Sequence, residues 1–270
     1  MSSVLRKGDR GSEVKRLQGL LAAHGYPVSA DGVFGSGTES KVMHFQQSKG
    51  LGADGVVGAK TWAVLEAKPK DHKKDPPGPL PPLLAHLKSL GHQVMWEGDF
   101  HLNLFGIRSP STQANSFDDI LGCAYTDKGL WKVHFWPGTT DPGTYWLEHP
   151  SRVEGTAMLV EGQYHAWKID LHAGKYEALC QRAAKVKVYR DANRDSKLDS
   201  DPSTIVEGMF GINLHRSSTS GESTSVEKWS AGCQVHARLD GFNEMMALAR
   251  KQVDVLGIDV FTYTLMKQWW

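Results

Sequence analysis

The spacing of apolar residues changes character along the chain. From residue 12 to 66 they recur at helical intervals. Val14, Leu17 and Leu21 fall at i, i+3 and i+7, Val42 and Phe45 share a face, and Trp62 with Leu65 marks a short third stretch. Gly25 stands where the first of these helices can end. Beyond residue 83, β-branched and aromatic residues alternate or cluster, as in "GLWKVHFWPG", "AKVKVYRD" and "GIDVFTYTLM", with turns such as "PGTTDPG" between them. "HARLDGFNEMMALARKQ" is the best helical pattern in this half, with Phe242, Met245, Met246 and Leu248 available for packing. Residues 67–82, "AKPKDHKKDPPGPLPP", carry almost no large apolar side chains and suit an extended spacer. The expectation is an α+β chain: a small three-helix domain over 1–66, a Lys/Pro-rich linker over 67–82 and a mostly β domain over 83–270.

The helical segment contains a repeat. "DGVFGSGT" at 31–38 and "DGVVGAKT" at 54–61 share D-G-V-x-G-x-x-T at a separation of 23 residues. Asp-Gly marks a tight turn, and the polar residue after the second glycine suits a helix start. In the β half, Trp131, Trp136, Trp146 and Trp167 are candidates for lining a groove, although most large aromatics in such folds fill the core.

Composition adds exclusions. The 270 residues are 40% apolar and 23% charged, with a formal net charge of +1, so bulk attraction to nucleic acid or anionic lipid is not expected. There is no run of eighteen apolar residues, hence no expected membrane insertion. The opening "MSSVLRKGDRGSEVKRL" has no apolar core of a secretory signal, so synthesis in the cytoplasm without a signal peptide is expected. Three widely spaced cysteines, Cys123, Cys180 and Cys233, argue against a disulfide framework and leave room for one reactive thiol.

Residues 5–65 resemble the three-helix peptidoglycan-binding domain found on many cell-wall hydrolases, through "GDRGSEVKRLQ", the two DGVxG turns and "TW" at 61–62. The resemblance implies bacterial peptidoglycan as the partner, with a monomer expected.

"KWSAGCQVH" at 228–236 raises the question of chemistry. A nucleophilic cysteine needs a base and oxyanion donors, and small neighbours that let backbone N–H groups face the substrate. "SAGC" supplies the small neighbours, and His215, at the end of the strand-like "GMFGINLH", is the candidate base. Two other readings stand beside it: a buried structural thiol, and zinc held by Cys233, His236 and His215, although no H-E-x-x-H or paired C-x-x-C supports a metal. His215, a polar loop, then Ser230-Ala231-Gly232-Cys233 resembles the L,D-transpeptidase signature. That resemblance implies a β-rich fold, Cys233 as nucleophile, His215 as general base, and Ser230 and Gly232 shaping the loop, with N–H groups of Gly232 and Cys233 as oxyanion donors. Arg216 stands where the family has glycine, and Val235 where it has arginine. Arg216 is therefore the candidate for recognising a substrate carboxylate.

"DANRDSKLDSD" at 191–201 places Asp191, Asn193, Asp195 and Asp199 at positions 1, 3, 5 and 9 of a calcium-loop pattern, with the Lys197 carbonyl at 7. Ser196 replaces the usual glycine, and Pro202 stands where the bidentate glutamate belongs. Catalysis by cysteine requires no cofactor; a structural calcium is a separate expectation, against an Asx-rich turn as the alternative. Joined together, the halves resemble a modular phage endolysin acting on peptidoglycan in the periplasm or cell wall, cleaving stem peptides. The alternatives are an L,D-transpeptidase that forms or exchanges cross-links, and a non-catalytic wall-binding protein.

Overall fold

The computed structural model describes residues 3–24, 26, 28–67 and 76–270. Gly25, the expected helix terminator, and residues 68–75, the body of the expected linker, lie outside the described residues. The chain divides into two compact units, residues 1–75 with Gln252–Ile258, and Pro76–Lys251 with Asp259–Trp270.

In the first unit the helical pattern becomes α1 (Ser12–Ala23), α2 (Ser36–Ser48) and α3 (Ala59–Glu66). Their apolar faces meet in one core of Leu5, Val14, Leu17, Leu21, Phe34, Val42, Phe45, Val57, Trp62 and Leu65. The sequence repeat is also a repeat of hydrogen bonds, each centred on a buried glutamine. Gln18 Nε2 donates to Asp31 Oδ1 (2.8 Å), Val33 O (3.1 Å) and Thr38 Oγ1 (3.2 Å), while its Oε1 accepts the Gly32 N–H (2.9 Å). Gln46 does the same for Asp54 (2.8 Å), Val56 (2.9 Å), Thr61 (3.2 Å) and the Gly55 N–H (2.9 Å). Aspartate, glycine and threonine of D-G-V-x-G-x-x-T therefore recur because one glutamine reads all three. Gly32 and Gly55 have φ of +75° and +73°, a conformation that favours glycine.

The second unit opens with α4 (Pro82–Ser89), whose Leu83, Leu84 and Leu87 are buried, so Pro82 starts a helix at the end of the expected linker. Strands β1 (Asn103–Arg108), β2 (Asp119–Asp127) and β3 (Leu130–Thr139) lead into the short α5 (Thr144–Glu148). There follow β4 (Thr156–Leu159), β5 (Gly162–His172), β6 (Tyr176–Gln181), β7 (Val186–Asp191), a 3-10 turn at Pro202–Thr204 and β8 (Val206–Gly208). The chain ends with β9 (Leu214–Arg216), β10 (Gln234–His236), α6 (Leu239–Leu256) and β11 (Phe261–Lys267). Eight strands close a barrel in the order β1-β11-β5-β6-β9-β10-β3-β2, and β4-β7-β8 form a separate sheet. The fold is thus α+β, with a helical N-terminal segment and a mostly β remainder. Closure leaves the barrel no open edge. On α6, Phe242, Met245, Met246 and Ala249 are buried, whereas Leu248 is only half-buried. Trp136 and Trp167 are core residues; Trp131 and Trp146 keep partial exposure.

Candidate active site

Two short parallel strands bring the sequence candidates together. β9 and β10 pair with Gln234 opposite Leu214, Val235 opposite His215 and His236 opposite Arg216. The Gln234 N–H bonds Asn213 O at 2.8 Å, which extends the pairing one residue back and sets Cys233 beside Asn213. Side chains alternate along a strand, so Asn213 and His215 share a face with Cys233 and Val235. Cys233 and His215 are then diagonal neighbours on adjacent strands, although the Sγ partners are Asn213 N and Gly211 O rather than the imidazole.

The Cys233 loop is held from several sides. Ser230 Oγ donates to Cys233 O (2.8 Å) and accepts the Gly232 N–H (3.1 Å), while Ser230 O accepts the Gly143 N–H (2.9 Å) from the start of α5. Gly232 has φ of +112°, and a Cβ there would lie 2.1 Å from the Ala157 carbonyl oxygen. No side chain fits this position. Cys233 Sγ accepts the Asn213 N–H at 3.4 Å and donates to Gly211 O at 3.6 Å. The Gly232 N–H, expected to face an oxyanion, is already engaged by Ser230.

His215 is buried, and its Nδ1 lies 2.8 Å from Arg216 O. A carbonyl can only accept, so Nδ1 carries the hydrogen and Nε2 the lone pair. Tyr176 OH donates to the same carbonyl at 3.4 Å. Burial lowers the His215 pKa to about 3, with neighbouring His172 acting in the same direction. Burial pushes the Cys233 thiol up to about 11, although the residue keeps some solvent contact. At rest the pair is therefore a neutral thiol and a neutral imidazole, and burial opposes formation of a thiolate–imidazolium pair.

Three neighbours had no sequence signal. His172, at the end of β5, stacks on His215 with ring centres 4.2 Å apart and planes at 22°. Asn213 donates through Nδ2 to His172 Nδ1 (3.0 Å) and accepts the Gln181 N–H (3.0 Å), fixing its amide orientation. Gln234 donates to Thr140 O (3.3 Å) and accepts from Tyr263 OH (2.7 Å). Strand pairing alone brings in His172; Asn213 lies two residues before His215, and Gln234 directly follows Cys233.

Gln234 leads to a buried charge cluster. Arg108 bonds Thr140 Oγ1 (3.0 Å), Thr140 O (3.0 Å), Leu159 O (2.9 Å) and Glu161 (3.0 Å), and pairs with Asp141 at 2.8 Å. Asp119 accepts the Thr140 N–H (2.6 Å) and hydroxyl (2.8 Å). The segment just past β3 is thereby pinned beneath the Cys233 loop.

The other candidates are placed as follows. The Arg216 guanidinium lies 4.1 Å over the Tyr176 ring. His236, the rival zinc ligand, is buried with Nε2 3.3 Å from Met245 Sδ and its ring near Trp136 and Phe242. Among the described residues no three His, Cys, Asp or Glu side chains are arranged to hold a metal. Asp191, at the end of β7, is buried; Asn193, Asp195 and Asp199 are exposed on the loop that follows. Cys123 and Cys180 are buried free thiols.

Comparison with known proteins locates the ancestry of the first segment. Residues 10–65 match the model of the putative peptidoglycan binding domain. A Bacillus cereus spore cortex-lytic enzyme is 42% identical over 65 residues, 24% of this chain and 25% of that protein. The solved N-terminal domain of SleB is 41% identical, with 24% of this chain and 90% of that one covered and a TM-score of 0.23. A Burkholderia AP3 phage endolysin structure is 48% identical over 24% of this chain and 25% of its own, with a TM-score of 0.24. The N-terminal segment of the chain belongs to the peptidoglycan-binding domain family. The chain spans between 19% and 25% of the length of the first curated relatives it matches. The curated relatives include a probable N-acetylmuramoyl-L-alanine amidase of Bacillus licheniformis, 40% identical over 67 residues, 24% of this chain and 19% of that protein. Among the described residues no helix is long and apolar enough to cross a membrane.

Proposed function

We propose that the chain is a peptidoglycan-degrading endolysin that cleaves stem peptides by cysteine acyl transfer. The observation that supports this reading is the pairing of β9 with β10, which puts His215 on the same strand face as Cys233, with its Nδ1 hydrogen-bonded to Arg216 O. His215 takes the thiol proton as Cys233 Sγ attacks a peptide carbonyl, and the tetrahedral oxyanion is met by the Cys233 N–H, since the Gly232 N–H is bonded to Ser230. Collapse expels the amine, which recovers the proton from His215, and leaves a thioester. Water then releases the acid. The same thioester would pass to an amine in a transpeptidase, so the acceptor distinguishes the two outcomes. In this reading Arg216, whose guanidinium lies over the Tyr176 ring, meets a substrate carboxylate. The N-terminal module raises the local concentration of wall substrate.

The reading is tested by intact mass after exposure to a carbapenem, an acylating mimic of the stem peptide. One adduct on the native chain and none on Cys233→Ala is expected. No adduct on either, from protein that is folded and binds peptidoglycan, would contradict it.

A further inference from the structure

The tip of the β5–β6 hairpin holds His215 at one edge and covers one of its faces. At the edge, Nδ1 donates to Arg216 O (2.8 Å), and the Tyr176 hydroxyl donates to the same carbonyl (3.4 Å). On the face lies His172, with ring centres 4.2 Å apart and planes at 22°. His172 and Tyr176 stand opposite each other in the β5–β6 register, their ring centres 5.4 Å apart. A single hydrogen bond to one ring nitrogen leaves an imidazole free to swing about χ2, whose minima are broad. A flat neighbour on the ring face removes that freedom.

The orientation of His172 is itself set by its neighbours. The Gln181 N–H can only donate, so Asn213 turns Oδ1 toward it (3.0 Å) and Nδ2 toward His172 Nδ1 (3.0 Å). An amide nitrogen can only donate, so His172 Nδ1 accepts, and in the neutral ring Nε2 carries the hydrogen. A proton on Nδ1 would set two donors against each other. Burial lowers the His172 pKa below its ordinary value, and Arg182, Arg216 and Lys175 act in the same direction. His172 is thus a neutral ring in one tautomer. The backbone N–H of the same Asn213 meets Cys233 Sγ at 3.4 Å, so one residue touches both the candidate nucleophile and the ring that covers His215.

We infer that His172 is a positioning residue: stacked on His215 and turned by Asn213, it fixes the plane and tautomer of that imidazole. The ring face does this work, and the bond to Asn213 serves only to orient the ring. Because His172 stays neutral, it does not repel a proton on His215 as a second imidazolium would. Its effect on the reaction rests on the catalytic reading, in which His215 is the base; its effect on the His215 ring does not.

The test is NMR of the full chain with isotopically labelled histidine rings, which reports for each ring the nitrogen that carries hydrogen. The native chain is expected to show hydrogen on Nδ1 of His215 and on Nε2 of His172, each ring assigned by its loss on substitution. His172→Phe, which keeps a flat face, should preserve the His215 pattern. His172→Gln keeps an acceptor for Asn213 without a ring, and it should average His215 between its two tautomers, as should His172→Ala. A His215 pattern unchanged in the Gln and Ala variants would overturn the proposal, and so would hydrogen on His172 Nδ1. The rate of carbapenem adduct formation at Cys233 should follow the same order, falling ~10–100-fold in the Gln and Ala variants and recovering in His172→Phe. Equal rates in all four folded proteins would also overturn it. A native chain that gives the expected ring spectra but forms no adduct would support the positioning and count against the catalytic reading.

Discussion

Replacing Gly232 by alanine adds one methyl group at the tightest point of the Cys233 loop. The new carbon would stand 2.1 Å from the Ala157 carbonyl oxygen, whereas carbon and oxygen in contact ordinarily keep about 3.3 Å. The loop or β4 must therefore yield by about 1 Å. Holding a non-glycine residue at φ +112° adds strain of about 1–3 kcal/mol. Ser230, bonded to both Gly232 N and Cys233 O, transmits the displacement directly to the nucleophile. Misplacement of a reacting group by about 1 Å costs roughly 100-fold in rate. The assay is release of soluble fragments from purified peptidoglycan, alongside thermal melting and sedimentation with insoluble wall. The expected variant is about 100-fold slower, melts several degrees lower and still binds the wall through the first unit. Near-native turnover with an unchanged melting temperature would refute the idea that this loop geometry positions Cys233.

Arg108→Met should destabilise by about 3–5 kcal/mol, because it leaves Asp141, Glu161 and Asp119 without their buried cation; urea unfolding measures this, and a loss under about 1 kcal/mol would contradict it. Gln18→Ala strands the Gly32 N–H and should cost about 1–3 kcal/mol, and Gln46→Ala should cost as much at Gly55; a large difference between them in melting would show that the repeat is not energetically equivalent. His215 and His236 are lowered to about 3 and His101 to about 4 by burial, so the unfolded chain takes up their protons first as pH falls below the ordinary 6.5. Each then costs about 2 kcal/mol at pH 5, partly offset by Asp141, whose pKa is raised to about 7 by burial and which favours the folded state as pH falls. A melting temperature that falls between pH 7 and 5 is expected, and a rise would contradict the neutral state assigned to these histidines.

The three-helix segment was legible because its information is local. Val14, Leu17 and Leu21 declare a helix face, and D-G-V-x-G-x-x-T declares a turn entering a helix. Gln18 and Gln46 were not seen as the cause of the repeat, since each lies on the preceding helix rather than in the repeated words. In the β half, strand content was readable from alternation, and "SAGC" with a preceding His marked the candidate site. His172 and Tyr176 were invisible, because β5 and β6 reach His215 only through lateral pairing in the barrel. Arg108 was hidden for the same reason: its partners Asp119, Asp141 and Glu161 are separated in sequence and meet only when the barrel closes. Glu148 meets the acidic loop from α5 through Ser196 Oγ, so no reading of residues 191–201 alone could supply that contact.

Digestion of purified Gram-negative peptidoglycan by the native chain and by Cys233→Ala, with the products identified by mass, decides whether Cys233 is the nucleophile. Peptide-cleaved muropeptides are expected from the native chain and none from the variant, with equal wall binding by both. Identical cleavage by the two proteins would contradict the cysteine mechanism, and Cys233 would not be the nucleophile.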